Sequence, residues 1–274
     1  MADALLRAEK LRYAYPKSDP LFRDLSIDIA AGQATAIIGP NGCGKSTLIS
    51  ALAGIVPVDR GSIAIEETPI SRMRARDLAR IIGVLPQRPE AAEGLTVRDL
   101  VTLGRIPHRG FLSTWNQTDE EAVQTALAAV DLGAFVGRSL SALSGGQRQR
   151  AFIAMVLAQQ PRLLFLDEPT SYLDLAHQLR VLRILEDLKA TQGMTIVAAI
   201  HDIAQAAGFA DMLVVMKEGE IMASGPPEEV LDEALIADVF EARVRIRRDA
   251  ETGQIIVIPL GLAGEPSVVR SISA

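Results

Sequence analysis

Gly39-Pro40-Asn41-Gly42-Cys43-Gly44-Lys45-Ser46-Thr47 is the stretch that decides the fold. The run Thr35 to Ile38 before it reads as the end of a buried strand. Leu48 to Leu52 after it reads as a helix stopped by Gly54. A Gly-x-x-x-x-Gly-Lys-Ser spacing set between a strand and a helix is a phosphate-binding loop. Its glycines let consecutive backbone N–H groups curl toward an anion at the positive end of a helix dipole. Lys45 adds a mobile point charge for terminal phosphates. The hydroxyl of Ser46 suits Mg²⁺, an ion that keeps several waters and takes few protein ligands. Thr47 supports the phosphates from the next helical position. Cys43 fills a permissive slot of the loop, and the electropositive setting is the only argument for redox sensing there.

Outward from this loop, the 274 residues carry 49% hydrophobic, 23% charged and only 4% aromatic side chains, a composition suited to buried aliphatic sheets. The length predicts one elaborated domain with subdomains. A net charge of -6 argues against nucleic acid, which needs a basic surface. Arg72, Arg74, Arg76 and Arg80 are the local exception, read as a solvated loop and helix face. One cysteine excludes an internal disulfide. The first residues, Met1 to Arg7, lack a signal-peptide core, and no apolar run approaches a membrane span, so membrane association is expected through a partner.

Alternation at Leu25, Ile27 and Ile29, resumed at Gly61 to Ile65, predicts an antiparallel β layer. Tyr13 and Tyr15 stand before Pro16. Tyr15 is the better placed to stack on a base, with plain packing as the other reading. Ile81 to Leu85 form a short strand ending at Pro86-Gln87, where a glutamine carbonyl can join an Mg²⁺ shell. Residues 95 to 160 read as helices, one starting at Thr96 and one at Thr118 with Glu121 in capping-box spacing. Pro107, His108, Gly110, Phe111 and Trp115 lie in an exposed link, either a docking surface or a satellite core. Ser144-Gly145-Gly146-Gln147 opens a further helix and places free N–H groups and a hydroxyl at its positive end, a second anion site.

Leu163 to Leu166 read as a central parallel strand that ends in Asp167 and Glu168. Ligands in open α/β sheets sit at such strand ends. There Asp167 would hold Mg²⁺ through water and Glu168 would orient or deprotonate an attacking water. The alternative is that both carboxylates only cap the next segment. Ser171-Tyr172-Leu173-Asp174 follows, then a helix expected to face the core with Leu175, Leu179, Leu182 and Leu185. Met194 to Ile200 deliver His201, a candidate γ-phosphate sensor. Met212 to Met216, a turn, Ile221 to Ala223, two small helices to Phe240 and a final strand Gln254 to Ile258 complete the pattern. The tail from Glu265 is expected to be loose.

With these residues in view, the chain resembles the ATP-binding subunits of ABC transporters along nearly its whole length. Residues 39–47 look like Walker A, Gln87 like the Q-loop and Leu143 to Gln147 like the ABC signature. Residues 163–168 look like Walker B with its catalytic glutamate, 171–174 like the D-loop and His201 like the switch histidine. The resemblance implies a P-loop NTPase of the α/β class, with a RecA-like parallel core, an antiparallel β subdomain and a helical subdomain near 89–160. Residues 1–262 would form the ATPase domain and 263–274 a tail. It implies ATP and Mg²⁺ as cofactors, with Lys45, Gln87, Glu168 and His201 as catalytic residues. Ser46, Gln87 and Asp167 would serve the metal, and Tyr15, Gly39, Pro40, Asn41, Gly42, Cys43, Gly44, Lys45, Ser46 and Thr47 the nucleotide. It also implies a head-to-tail homodimer, in which Ser144, Gly145, Gly146, Gln147 and Asp174 reach the partner's nucleotide.

A narrower likeness is to ATPases that energise uptake of iron-siderophore complexes, haem and vitamin B12. It rests on Leu95 to Val101, Gly104 to His108, Trp115, Leu173 to Gln178, His201 to Ala207 and Val257 to Gly261, while Tyr172 is a less common D-loop choice. Two permease subunits and, indirectly, a substrate-binding protein are the implied partners, at the cytoplasmic face of the inner membrane. An exporter ATPase shares every motif. A soluble ABC protein acting on ribosomes or DNA ends would carry two ATPase domains or a long coiled coil, and neither pattern is present.

Overall fold

The computed structural model describes residues 4–110 and 113–264. β1 (Ala4–Ala14), β2 (Pro20–Ala30), β4 (Arg60–Ile65) and β5 (Thr68–Pro69) pair antiparallel in the order β2-β1-β4-β5. The central sheet takes β3 (Ala34–Ile38), β6 (Ile82–Leu85), β7 (Leu163–Asp167), β8 (Thr195–Ala199), β9 (Met212–Lys217) and β10 (Glu220–Gly225), in the order β10-β9-β3-β8-β7-β6. It is parallel except for β10. β3, β7 and β8 are buried at every residue. That is why they read as unbroken apolar runs, whereas β2 alternates buried and exposed positions as a strand with one wet face does.

The helices are α1 (Lys45–Leu52), α2 (Ala75–Ile81), α3 (Val97–Leu103), α4 (Gln117–Ala129), α5 (Gly145–Ala158), α6 (Leu175–Gln192), α7 (Ile203–Phe209), α8 (Pro227–Val230) and α9 (Glu233–Phe240). One face of the central sheet, with Ile37, Phe165 and Val197, shares a core with α1 and the antiparallel sheet. The other face, with Ile38, Leu166 and Ala198, packs against α5, α6, α7 and α9. α1 is therefore buried at every residue except Ser46 and Ser50. The parallel register aligns Leu166 with Ala198 and Asp167 with Ala199, so the strands deliver the following residues to one edge of the sheet.

Several expectations are corrected. α4 starts two residues earlier than the capping-box spacing at Thr118 implied: Asn116 accepts from the Asp119 N–H at 3.0 Å and Asp119 reciprocates. Asn caps as well as Thr does, and Asp119 is then free to serve a buried arginine. Leu182 and Leu185 face the core, but Leu175 and Leu179 are exposed, because α6 turns its first two turns away from the sheet. Trp115 is half-buried, packed on the main core, and its Nε1 donates to Glu120 at 3.1 Å. It belongs to a core and not to an exposed surface; Phe111 lies outside the described residues. Arg76 and Arg80 both donate through Nε to the Pro107 carbonyl, at 2.8 and 2.9 Å, so part of the basic cluster is a structural clasp. β11 (Ala242–Arg248) was not foreseen: its alternating arginines hide a strand that pairs with β12 (Ile255–Leu262). Met1 to Asp3 and the tail from Glu265 lie outside the described residues.

The helices around α4 are fixed by a buried ion pair. Arg105 and Asp119 are each 2% exposed and meet at 3.0 Å, and Arg105 also donates to the Ala158 carbonyl at 2.7 Å and to Gln160 at 2.9 Å. Removing one partner of such a pair strands a charge in the interior. Asp119→Ala is expected to lower unfolding free energy by about 3–5 kcal/mol in urea titrations. The exposed Arg7–Asp28 pair, cut by Asp28→Ala, should cost less than about 1 kcal/mol.

Candidate functional site

The loop after β3 is shaped by what a side chain would hit. A Cβ at Gly39 would collide with the Met216 carbonyl oxygen and lie 2.7 Å from the Cys43 sulfur. Gly44 has φ +109, and a Cβ there would press on Phe22 at 2.9 Å. The backbone thus turns tightly onto α1, whose first residue is Lys45. Its Nζ is buried and donates to the carbonyls of Gly39 at 2.8 Å and Pro40 at 3.0 Å. Cys43 faces the apolar core, and burial pushes its thiol up, which removes the thiolate that redox sensing requires.

Ser46 and Asp167 meet across the sheet edge, with Oγ donating to Oδ1 at 2.9 Å. Burial raises the Asp167 carboxyl above its ordinary value, against the Ser46 bond and the charge of Lys45. A desolvated carboxylate beside a hydroxyl has chemistry that calls for a cation. Among the described residues no group of three or more His, Cys, Asp or Glu gathers as a metal cage. A single carboxylate plus a hydroxyl instead matches an ion that keeps its waters.

Glu168 sits one residue further on, at φ +52, a left-handed conformation that a non-glycine residue holds only under constraint. Its Oε2 accepts from Gln87 Nε2 at 2.6 Å and from Ser171 Oγ at 2.8 Å, and its Oε1 meets His201 Nε2 at 2.5 Å. Burial alone would raise this carboxyl. The Ser171 and Gln87 hydrogen bonds and the neighbouring His201 outweigh it and hold Glu168 below its ordinary value, ionised at neutral pH. Gln87 therefore turns its amide nitrogen, rather than its carbonyl, toward Glu168.

Tyr15 is half exposed, and its hydroxyl lies 2.6 Å from Thr47 Oγ1. Tyr13 stands edge-on to it at 5.1 Å and leans on Phe22, so Tyr13 supports and Tyr15 presents a face. A cavity of about 490 Å³ joins Tyr15 to the loop residues Asn41, Gly42 and Gly44 to Thr47, and to Gln87, Glu168 and His201. Leu21 and Tyr172 also line it, and neither was selected from sequence as a site residue. Tyr172 is 81% exposed at φ +62, a backbone state that no sequence pattern announces.

The remaining sequence candidates are elsewhere. Ser144 caps α5 reciprocally with Gln147, Oγ accepting from the Gln147 N–H at 3.3 Å and Gln147 Oε1 accepting from the Ser144 N–H at 3.0 Å. Asp174 caps α6 and pairs with His177 Nδ1 at 2.7 Å. Neither Ser144 to Gln147 nor Asp174 lines the cavity. The chain thus presents a cavity lined by the loop residues and, apart from it, a helix N-terminus with an exposed serine and glycine.

This arrangement has known counterparts. The family model described as ABC transporter matches residues 22–171. The petrobactin import ATP-binding protein FpuD of Bacillus anthracis is 44% identical over 256 residues, 93% of either chain. The ferric enterobactin transport ATP-binding protein FepC of Escherichia coli strain K12 is 40% identical over 268 residues, 98% of either chain. Among solved structures, a chain of an inward-facing ABC transporter described as of the metal-chelate type superposes with a TM-score of 0.82 at 29% identity, covering 95% of this chain and 98% of its own. The cavity, the strand-end carboxylates and this likeness across nearly the whole chain place the protein in the ABC transporter family, as one of its ATP-binding, ATP-hydrolysing subunits.

Proposed function

We propose that the chain powers import of an iron-siderophore complex through two membrane permease subunits, bound to them as a peripheral protein on the cytoplasmic face of the inner membrane. Residues 1–262 act as the ATPase domain, with the helical subdomain near 89–160 and a tail after 262. The relatives named above are by name a petrobactin import and a ferric enterobactin transport ATP-binding protein, and their match extends over the C-terminal part of this chain as well as the ATPase motifs. No helix among the described residues is long and apolar enough to cross a membrane. Exposed Leu103 and Ile106, beside the link that follows α3, offer the permease an apolar contact.

The observation that carries the catalytic reading is the convergence of Lys45, Ser46, Glu168 and His201 on one cavity. Tyr15 stacks on the adenine. The loop 39–47 cradles the phosphates with backbone N–H groups, and Lys45 leaves its two carbonyls for the terminal phosphates. Ser46, Asp167 and the carbonyl of Gln87 would hold Mg²⁺, which supplies charge neutralisation between the phosphates. Glu168, ionised and aimed by three neighbours, accepts the proton of the attacking water. His201 steadies the γ-phosphate and shares the orientation of Glu168. Ser144 to Gln147 and Asp174, which lie away from the cavity, complete the cavity of a second copy packed head to tail.

Two outcomes test this. Glu168→Gln should lower ATP turnover by about 10²-fold or more while leaving nucleotide affinity near wild type; a wild-type rate would remove the base assignment. Lys45→Ala and Ser144→Arg should each be inactive alone, yet a mixture of the two should hydrolyse ATP, because mixed dimers hold one undamaged composite site. A mixture as dead as its components would place both halves of the site on one chain.

A further inference from the structure

The backbone from Glu168 to Tyr172 is strained at both ends. Glu168 lies at φ +52 and Tyr172 at φ +62. Left-handed non-glycine residues persist only where surrounding contacts over-determine them. Beyond the contacts to Glu168 itself, glutamine side chains hold the residues that follow it. Gln149 of α5 donates through Nε2 to the Pro169 carbonyl at 3.1 Å. Gln178 of α6 donates through Nε2 to the Leu173 carbonyl at 3.0 Å and toward the Thr170 carbonyl at 3.4 Å.

Gln178 is then held from its other end. Carbonyls only accept, so its amide nitrogen must face them, and its Oε1 is left to accept from Gln205 Nε2 at 2.8 Å. Gln205 is on the first turn of α7, where its own N–H donates to Asp202 Oδ1 at 2.7 Å. Asp202 directly follows His201. One half-buried side chain thus links the loop that sets Glu168 to the helix that follows His201. The same turn of α6 is fixed against α5, because the neighbouring His177 ring packs so tightly on Gly146 that a Cβ there would collide with it.

We infer that Gln178 is a positioning residue for ATP hydrolysis: bonded to Gln205, it keeps Glu168 and His201 in register on their 2.5 Å contact. The inference rests on the reading of Glu168 as the base. Gln178 lies outside the cavity lining, so its loss should leave ATP binding alone and misalign the chemistry.

The test is steady-state ATPase kinetics on the full chain. In Gln178→Ala kcat should fall about tenfold, and in Gln205→Ala at least about threefold, with KM for ATP within about twofold of wild type. The double variant should be no slower than Gln178→Ala, because both cut one link. Gln178→Glu, which keeps the shape but turns an oxygen toward the carbonyls, should match Gln178→Ala and covers the case in which the alanine variant does not fold. Wild-type kcat in these variants, multiplying losses in the double, or a rise in KM matching the fall in kcat would each overturn the inference. Glu168→Gln in the same assay keeps the two readings apart. An active Glu168→Gln would defeat the base assignment, whereas an inactive one beside a fully active Gln178→Ala would defeat the positioning role only.

Discussion

One carboxylate, which burial would raise and its hydrogen-bond donors hold below its ordinary value, organises this structure. Glu168 receives Gln87 from the end of β6, Ser171 from its own turn and His201 from the end of β8. Gln87 and His201 can reach it because the parallel sheet stops its strands at one edge. The sheet is fixed in turn by two apolar cores, one holding α1 under the phosphate loop and the other holding α5, α6 and α7. The chemistry therefore depends on register: a strand shifted by one residue would exchange Asp167 for Glu168 at the cavity and swap the side chains that β7 gives to the two cores.

The same constraint underlies the proposal that a single chain holds only part of the site. The positive end of α1 is committed to the cavity, through Lys45, Ser46 and Thr47. The positive end of α5 is capped by Ser144 and Gln147, away from that cavity. On the reading proposed above, the helix end of one copy serves the cavity of a second copy related by a two-fold axis. Glutamine side chains on α5, α6 and α7 tie those helices to the Glu168–Asp174 segment and to one another.

Much of this was legible in the sequence because the decisive residues are adjacent in the chain. The phosphate loop, the paired carboxylates at 167–168, His201 and the serine-glycine helix start at 144–147 each announce themselves through spacing and local context. Short apolar runs gave the parallel strands, since strands buried on both faces need no polar positions. What was not legible depends on contacts between distant segments. Thr118 and Glu121 satisfy a cap pattern as well as Asn116 and Asp119 do, and only Arg105 inside the fold decides between them. Leu175 and Leu179 obey the helical period yet face outward, because α6 meets the sheet only from Val181 onward. Arginines at alternate positions concealed β11, and Tyr172 enters the cavity through a left-handed turn with no signature.

The central claim is that ATP completes this site by joining two copies. Sedimentation velocity of Glu168→Gln, with and without Mg²⁺-ATP, tests it most directly, because the variant should bind nucleotide without consuming it. The account predicts a monomer that becomes a dimer when Mg²⁺-ATP is added and reverts when ADP replaces it. A monomer under all three conditions, with nucleotide demonstrably bound, would contradict it.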